Sequence, residues 1–269
     1  MQTLIGKMKI NIAGGSGIMG KVHKPIFESA GYEVIISGRT SSPSLEEAAK
    51  ISDLTIVSVP IPATEEIIKR VAPYCSALMD FTGLKVFPIK AMMEYSNENC
   101  EVGGLHPLYG ERLGRTVVYC PTNRSGDRCN MVIDAFEKSG VKIKKMDAQS
   151  HDLFVGGIAQ NARLILFEAF AGLLERYNLS AEDLYEISPP PTKILLDLLS
   201  RQVDERYDSL YKDMRDYNPS TKEITQYLAN VLNSPRPENT PKKIRALFGE
   251  SLLKEAQNKA RLLIDKSNK

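Results

Sequence analysis

The sequence predicts an α/β fold: a doubly wound parallel sheet in the first half of the chain, followed by an all-helical half. Three observations predict it. From residue 9 to about residue 146, short β-branched runs alternate with amphipathic helical stretches, as they do where helices cover both faces of a parallel sheet. From about His151 onward no comparable run appears, and apolar residues recur at three- and four-residue spacing. A glycine-rich turn also joins the first strand directly to the first helix.

The predicted strands are KINIA, EVIIS, LTIVSVP, ALMDF, CEVGG, TVVYC and VKIKKM. In the second half, HDLFVGGIAQNARLILFEAFAGLLERY reads as one long apolar helix. Helix breaks fall at SPPPT (188–192), Asn218-Pro219 and SPRPENTP (234–241), because proline is excluded from helix interiors. The last helix, roughly Pro241 to Asp265, places Ile244, Leu247, Phe248, Leu252, Ala256, Ala260 and Leu263 on one face. That face belongs either to an internal core or to a seam between two copies of the chain. A helix as apolar as 153–174 needs cover as well, which a homodimer through this half supplies.

Composition narrows the function classes. At 269 residues the chain accommodates two unequal domains, and a net charge of +2 with 25% charged residues disfavours nucleic-acid and membrane-surface binders in favour of small soluble ligands. Cys75, Cys100, Cys120 and Cys129 have no C-x-x-C spacing, so they read as reduced thiols and make a metal site unexpected. The N-terminus carries too short an apolar stretch for a signal peptide, and no run reaches the roughly 20 apolar residues of a membrane span. A cytoplasmic protein is expected.

The stretch INIAGGSGIMG sets Gly15, Gly17 and Gly20 in G-x-G-x-x-G register after a strand and before a helix. This is the fingerprint of a Rossmann-type dinucleotide site. Gly15 is expected to permit the turn, Gly17 to admit the pyrophosphate, and Gly20 to let helix and strand pack. Ser16, Ile18 and Met19 complete the cradle, with helix amides meeting the negative charge. An NAD site would normally end its second strand in Asp or Glu; here Ser37-Gly38-Arg39-Thr40-Ser41 follows. With no carboxylate to repel a 2′-phosphate, Arg39, Thr40 and Ser41 point to NADP. Ligands of such sheets bind beyond the carboxyl ends of the strands, so Ser58, Val59 and Pro60 join the cofactor list, and DFTGLK (80–85) and His106-Pro107 become substrate-side candidates. Of the three histidines, His23 reads as surface or structural, His151 as a cap or packed residue, and His106 as the base, since imidazole exchanges protons near neutral pH.

GGSGIMG, the SVP strand end, GGLHPLYG, SHD at 150–152 and SPPPTKILLDLLSR together resemble the prephenate dehydrogenase family across most of the chain. The resemblance implies a Rossmann domain over residues 1–150 and a helical substrate and dimerisation domain over 151–269. It implies NADP-dependent oxidative decarboxylation of prephenate or arogenate, on the route to tyrosine, by a homodimer. His106 matches the family's catalytic histidine and Arg201 its substrate-binding arginine, while Lys193 stands where a further cation occurs. On its own helix Arg201 also has Asp197 and Asp204 within ion-pair reach. The sequence departs from the family twice. Gly83 replaces a serine that holds the catalytic histidine, with Thr82 the nearest alternative hydroxyl; and Gln160 and Arg163 fall where the family often has a glutamine one residue earlier and a histidine. Two other readings stay open: a different NADP-dependent dehydrogenase or imine reductase of the same build, and a catalytically silent NADP-binding sensor.

Overall fold

A computed structural model describes residues 7–108, 116–200, 205–234 and 240–267. The N-terminal half alternates strand and helix: β1 (Lys9–Ala13), α1 (Ile18–Ser29), β2 (Glu33–Ser37), α2 (Leu45–Ile51), β3 (Leu54–Val57), α3 (Ile61–Val71), β4 (Ala77–Asp80), α4 (Val86–Tyr95), β5 (Glu101–Pro107), β6 (Thr116–Pro121), α5 (Asp127–Lys138) and β7 (Lys142–Lys145). These seven strands form one sheet in the order β2-β1-β3-β4-β5-β6-β7.

All seven predicted strands are present, with two informative differences. Parallel pairing fails once: β6 runs antiparallel to β5, because only residues 108–115 separate them and a parallel crossover needs a dozen residues or more. The ends of two strands also move. β3 stops at Val57, leaving Ser58–Pro60 outside the ladder, whereas β5 continues to Pro107 and pairs His106 with Val118. His106 is therefore held inside a strand, rather than in the loop that the sequence suggests.

Both faces of the sheet are buried. Ile10, Ile12, Leu54, Ile56 and Met79 pack with Phe27 of α1 and Phe136 of α5 on one face. Ala13, Val57, Leu78 and Val102 pack with residues of α2, α3 and α4 on the other. Strands covered on both sides are uniformly apolar, which is why LTIV and ALM show no alternation.

After β7 a continuous helix comprises α6 (Ala148–His151), a π-helical stretch (Asp152–Ala162) and α7 (Arg163–Arg176). Helices α8 (Ala181–Ile187), α9 (Pro190–Ser200), α10 (Glu205–Tyr217), α11 (Thr221–Asn233) and α12 (Thr240–Ser267) follow, and the three proline breaks fall between them. Two compact units result: Met1–Ala159 with Asp213–Ser220, and Gln160–Lys212 with Thr221–Lys269. The first unit thus extends past residue 150 and takes back a short later segment. Asn218 anchors that segment by donating to the Asp152 carbonyl at 3.0 Å, and Met214 packs with Ile61 and Leu84.

The helical unit leaves much apolar surface exposed: Leu247 is 83%, Ile187 76% and Leu232 72% exposed. The face predicted for the last helix is broken at Gly249, where φ is +64°, and Ile244, Leu247, Phe248, Leu252 and Leu263 are all exposed. They do not form an internal core. By length and composition Ala148–Arg176 also suffices to cross a bilayer, contrary to the expectation that no such stretch exists. It is the one such helix among the described residues. Three polar side chains along it, His151, Asp152 and Asn161, are nevertheless buried with partners inside the protein.

Candidate active site

The glycine turn is built at the carboxyl end of β1. Gly14, at φ +87°, makes the reversal, and a Cβ there would lie 2.3 Å from the Ser58 carbonyl oxygen. The left-handed position is thus Gly14 rather than Gly15, whose missing side chain instead makes room for Ile36 and Ile12. At Gly20 a Cβ would meet the Gly15 carbonyl at 1.9 Å, so α1 can approach the turn only with glycine. Ser16, Gly17 and Ile18 are exposed. Gly17 starts α1 with no side-chain cap, and no acidic residue stands in the first turn. Uncapped amides beside a bare Cα fit a dinucleotide phosphate. Ser58, Val59 and Pro60 back the turn: the Ser58 N–H donates to the Ala13 carbonyl at 2.7 Å, and Val59 packs where a Gly14 side chain would go.

Arg39 and Thr40 are exposed just beyond β2, and among the described residues no carboxylate pairs with Arg39. Ser41 differs from expectation. Its hydroxyl accepts from the Gly38 amide at 2.7 Å and donates to the Pro43 carbonyl at 2.8 Å, so it closes the loop that presents Arg39.

Two and three strands from β1 along the same edge, β4 and β5 build a buried polar cluster. Asp80, the last residue of β4, accepts from the Thr82 amide at 2.9 Å and from the Lys85 ammonium. Lys85 Nζ also donates to the Leu105 carbonyl at 2.7 Å. Both charged side chains are fully buried, and burial pushes the Asp80 carboxyl up while Lys85 pulls it down. Gly104 makes this possible, since a Cβ there would lie 2.8 Å from Lys85 Cδ.

His106 lies beside this pair. Its Nδ1 is 2.9 Å from His151 Nε2, and His151 Nδ1 is 2.8 Å from Asp152 Oδ1. Asp152 in turn accepts the Lys85 and Val86 amides at 2.7 and 2.9 Å, satisfying the first amides of α4. Burial, then the neighbouring His151 and Lys85, holds the His106 imidazole well below the ordinary histidine pKa. His151 is lowered by burial against the opposing pull of Asp152. Both rings are neutral near pH 7, as a base must be.

The remaining candidates are distributed unevenly. Thr82, a substrate-side candidate and the nearest alternative hydroxyl to the one Gly83 lacks, is buried, with its hydroxyl 3.5 Å from that of Thr64 on α3. Lys193, on α9, places its ammonium 5.2 Å from the Tyr185 ring centre. Arg201 lies outside the described residues, as do Tyr109 and Gly110 of the HPLYG loop. His23 is buried on α1 against Phe81 and Phe136, with Nδ1 donating to the Met19 carbonyl at 2.7 Å, a structural role. Sequence reasoning missed His151, Asp152 and Lys85. Their signals were present, as a His-Asp pair opening a helix and a lysine five residues after a strand-terminal aspartate.

Comparison with known proteins identifies the nucleotide-binding domain. Residues 19–145 match the model of the prephenate dehydrogenase nucleotide-binding domain. A probable arogenate/prephenate dehydrogenase of Methanocaldococcus jannaschii is 29% identical over 246 residues, 83% of this chain and 55% of that protein. The T-protein of Haemophilus influenzae is 30% identical over 215 residues, 77% of this chain and 55% of that protein. The chain thus spans about half the length of the curated relatives it matches. Among solved structures, prephenate dehydrogenase from Aquifex aeolicus in complex with hydroxyphenyl propionate and NAD+ superposes with a TM-score of 0.67 at 17% identity, covering 97% of this chain and 99% of that one; at that identity it speaks for the fold. Residues 19–145, which carry the sheet's first helix and its HP-containing fifth strand, are thus a nucleotide-binding domain of the prephenate dehydrogenase kind.

Proposed function

We propose that the chain catalyses the NADP-dependent oxidative decarboxylation of prephenate or arogenate, as a cytoplasmic homodimer joined through its helical unit, with no nucleic-acid or membrane partner. The observation that carries the reading is His106: a neutral, buried imidazole held in β5, on the same sheet edge as the glycine turn. The turn and His106 stand three strand spacings apart, roughly 14 Å, so one extended ligand can serve both.

The bound dinucleotide supplies the hydride acceptor. The substrate's ring carbinol carbon gives up its hydrogen with two electrons, and its hydroxyl proton passes to His106 Nε2. The resulting dienone loses the ring carboxylate as carbon dioxide, the carbon–carbon bond electrons enter the ring, and His106 returns its proton to the phenol oxygen. No net proton is gained or lost at the imidazole, and aromatisation drives the step. Arg39 and Thr40 are assigned to the 2′-phosphate, and Arg201 and Lys193 to the substrate carboxylates.

The purified chain, mixed with prephenate or arogenate and NADP or NAD, should reduce the cofactor, as followed by absorbance, with NADP preferred. Absence of turnover in all four combinations would overturn the proposal. His106→Asn should lower kcat by about 10²- to 10⁴-fold while leaving NADP binding, measured by fluorescence titration, intact. Tight NADPH binding by the unmodified chain with no turnover would favour the silent sensor.

A further inference from the structure

Gly83 removes the hydroxyl that the family pattern places beside the catalytic histidine, yet His106 is not left unsupported. Its other ring nitrogen meets His151, and His151 meets Asp152. The direction of this chain of hydrogen bonds follows from donor chemistry. Both Asp152 oxygens already accept backbone amides, and a carboxylate has no hydrogen to give, so the hydrogen between it and His151 sits on His151 Nδ1. A neutral imidazole carries one N–H, which leaves His151 Nε2 an acceptor. The hydrogen between the two rings therefore belongs to His106 Nδ1, and His106 Nε2 is bare. A cationic His151 would reverse the last bond, but burial and the Lys85 ammonium oppose that charge.

We propose that His151 and Asp152 are positioning residues that lock His106 in its Nδ1–H tautomer, so that Nε2 presents its lone pair to the space over Gly83. A Cβ at Gly83 would lie 3.9 Å from that nitrogen and 3.1 Å from Met214 Sδ, so glycine keeps a side chain of its own out of the space between Nε2 and Met214. Support comes from behind the ring instead of beside it. The rings meet at 64° with centres 5.1 Å apart, an edge contact that also fixes the plane of His106. Asp152 is immobilised by α4, which makes the N-terminus of that helix the anchor of the relay. The functional part of this inference rests on the dehydrogenase reading above; the tautomer itself does not.

The test is a long-range proton–nitrogen correlation spectrum of the full chain with nitrogen-15 histidine, recorded above the ordinary histidine pKa of about 6.5. There are three histidines, assigned by substituting each in turn. Nδ1 of His106 should be pyrrole-type and Nε2 pyridine-type, whereas the opposite pattern would overturn the proposal without any variant being made. His151→Phe, which keeps a ring but removes both nitrogens, should shift His106 toward the Nε2–H form that a free imidazole prefers. His151→Gln, whose carbonyl can stand in for Nε2 as acceptor, should preserve Nδ1–H. An unchanged tautomer in His151→Phe would also overturn the proposal. In turnover, His151→Phe should lower kcat on the order of 10²-fold with the KM for NADP within about twofold, and His151→Gln should recover much of it. Because the spectrum needs no substrate, failure of the tautomer and failure of the dehydrogenase reading are seen separately.

Discussion

A methyl group at Gly20 would collide with the Gly15 carbonyl at 1.9 Å, and neither atom can turn aside because both are backbone. Gly20→Ala should therefore displace α1 and cost more than about 2 kcal/mol, read as a lower urea midpoint together with loss of dinucleotide binding. Arg39 makes the opposite kind of prediction. It is exposed, so Arg39→Ser should leave stability unchanged while raising the KM for NADP about 10- to 100-fold and that for NAD little. Equal loss with both cofactors would show that Arg39 does not read the 2′-phosphate. These positions were legible in the sequence because their chemistry is local: a glycine register or a strand-end arginine is visible within a few residues. The relay behind His106 was not, since His106 and His151 are 45 residues apart and meet only through strand and helix placement.

At the scale of elements, the loop from β4 to α4 connects the two halves of the polar cluster. Lys85 neutralises Asp80 while its own amide, with that of Val86, binds Asp152. Lys85→Met would leave the Asp80 charge buried and unpaired, a loss of about 3–5 kcal/mol, measurable by denaturant unfolding. A stability unchanged by this substitution would mean that Asp80 is neutral in the native chain. The strands themselves were readable from uniform apolar runs, whereas the reversal of β6 was not, because apolar pattern carries no direction. The amphipathic period of 153–174 correctly indicated a helix but not its π-helical first half, where i→i+5 bonding widens the turn. That widened stretch begins at Asp152.

For the whole molecule, acid should be the first stress to fail it. His23, His106 and His151 all have lowered pKa values. The unfolded chain therefore binds more protons than the native one once the pH falls below the unfolded value of about 6.5. The stability these neutral rings contribute is present above that pH and lost progressively below it, so Tm should fall steadily from neutral pH toward pH 5. A flat profile would contradict the buried, neutral imidazoles. The exposed apolar residues of the helical unit predict that the chain sediments as a dimer and that Leu247→Glu with Leu232→Glu shifts it toward monomer. An unchanged sedimentation coefficient would place the seam elsewhere. Sequence pattern marked this surface as apolar but left open whether it faced inward, because a helical face looks the same against a core or against a second copy.

The return of residues 213–220 to the N-terminal unit bears on how the protein could be rebuilt or recombined. Met214 packs with Ile61 and Leu84, Asn218 holds the Asp152 carbonyl, and the bare Cα of Gly156 admits the Asn218 amide, which would lie 2.6 Å from a Cβ there. The nucleotide-binding half is accordingly not a transplantable cassette. A gene fragment ending at residue 159 would carry the glycine turn and both site histidines yet lack the stopper that packs on Leu84 and holds the Asp152 carbonyl. A chimera that imports this half must import the stopper too, although more than fifty residues of another unit intervene in the chain.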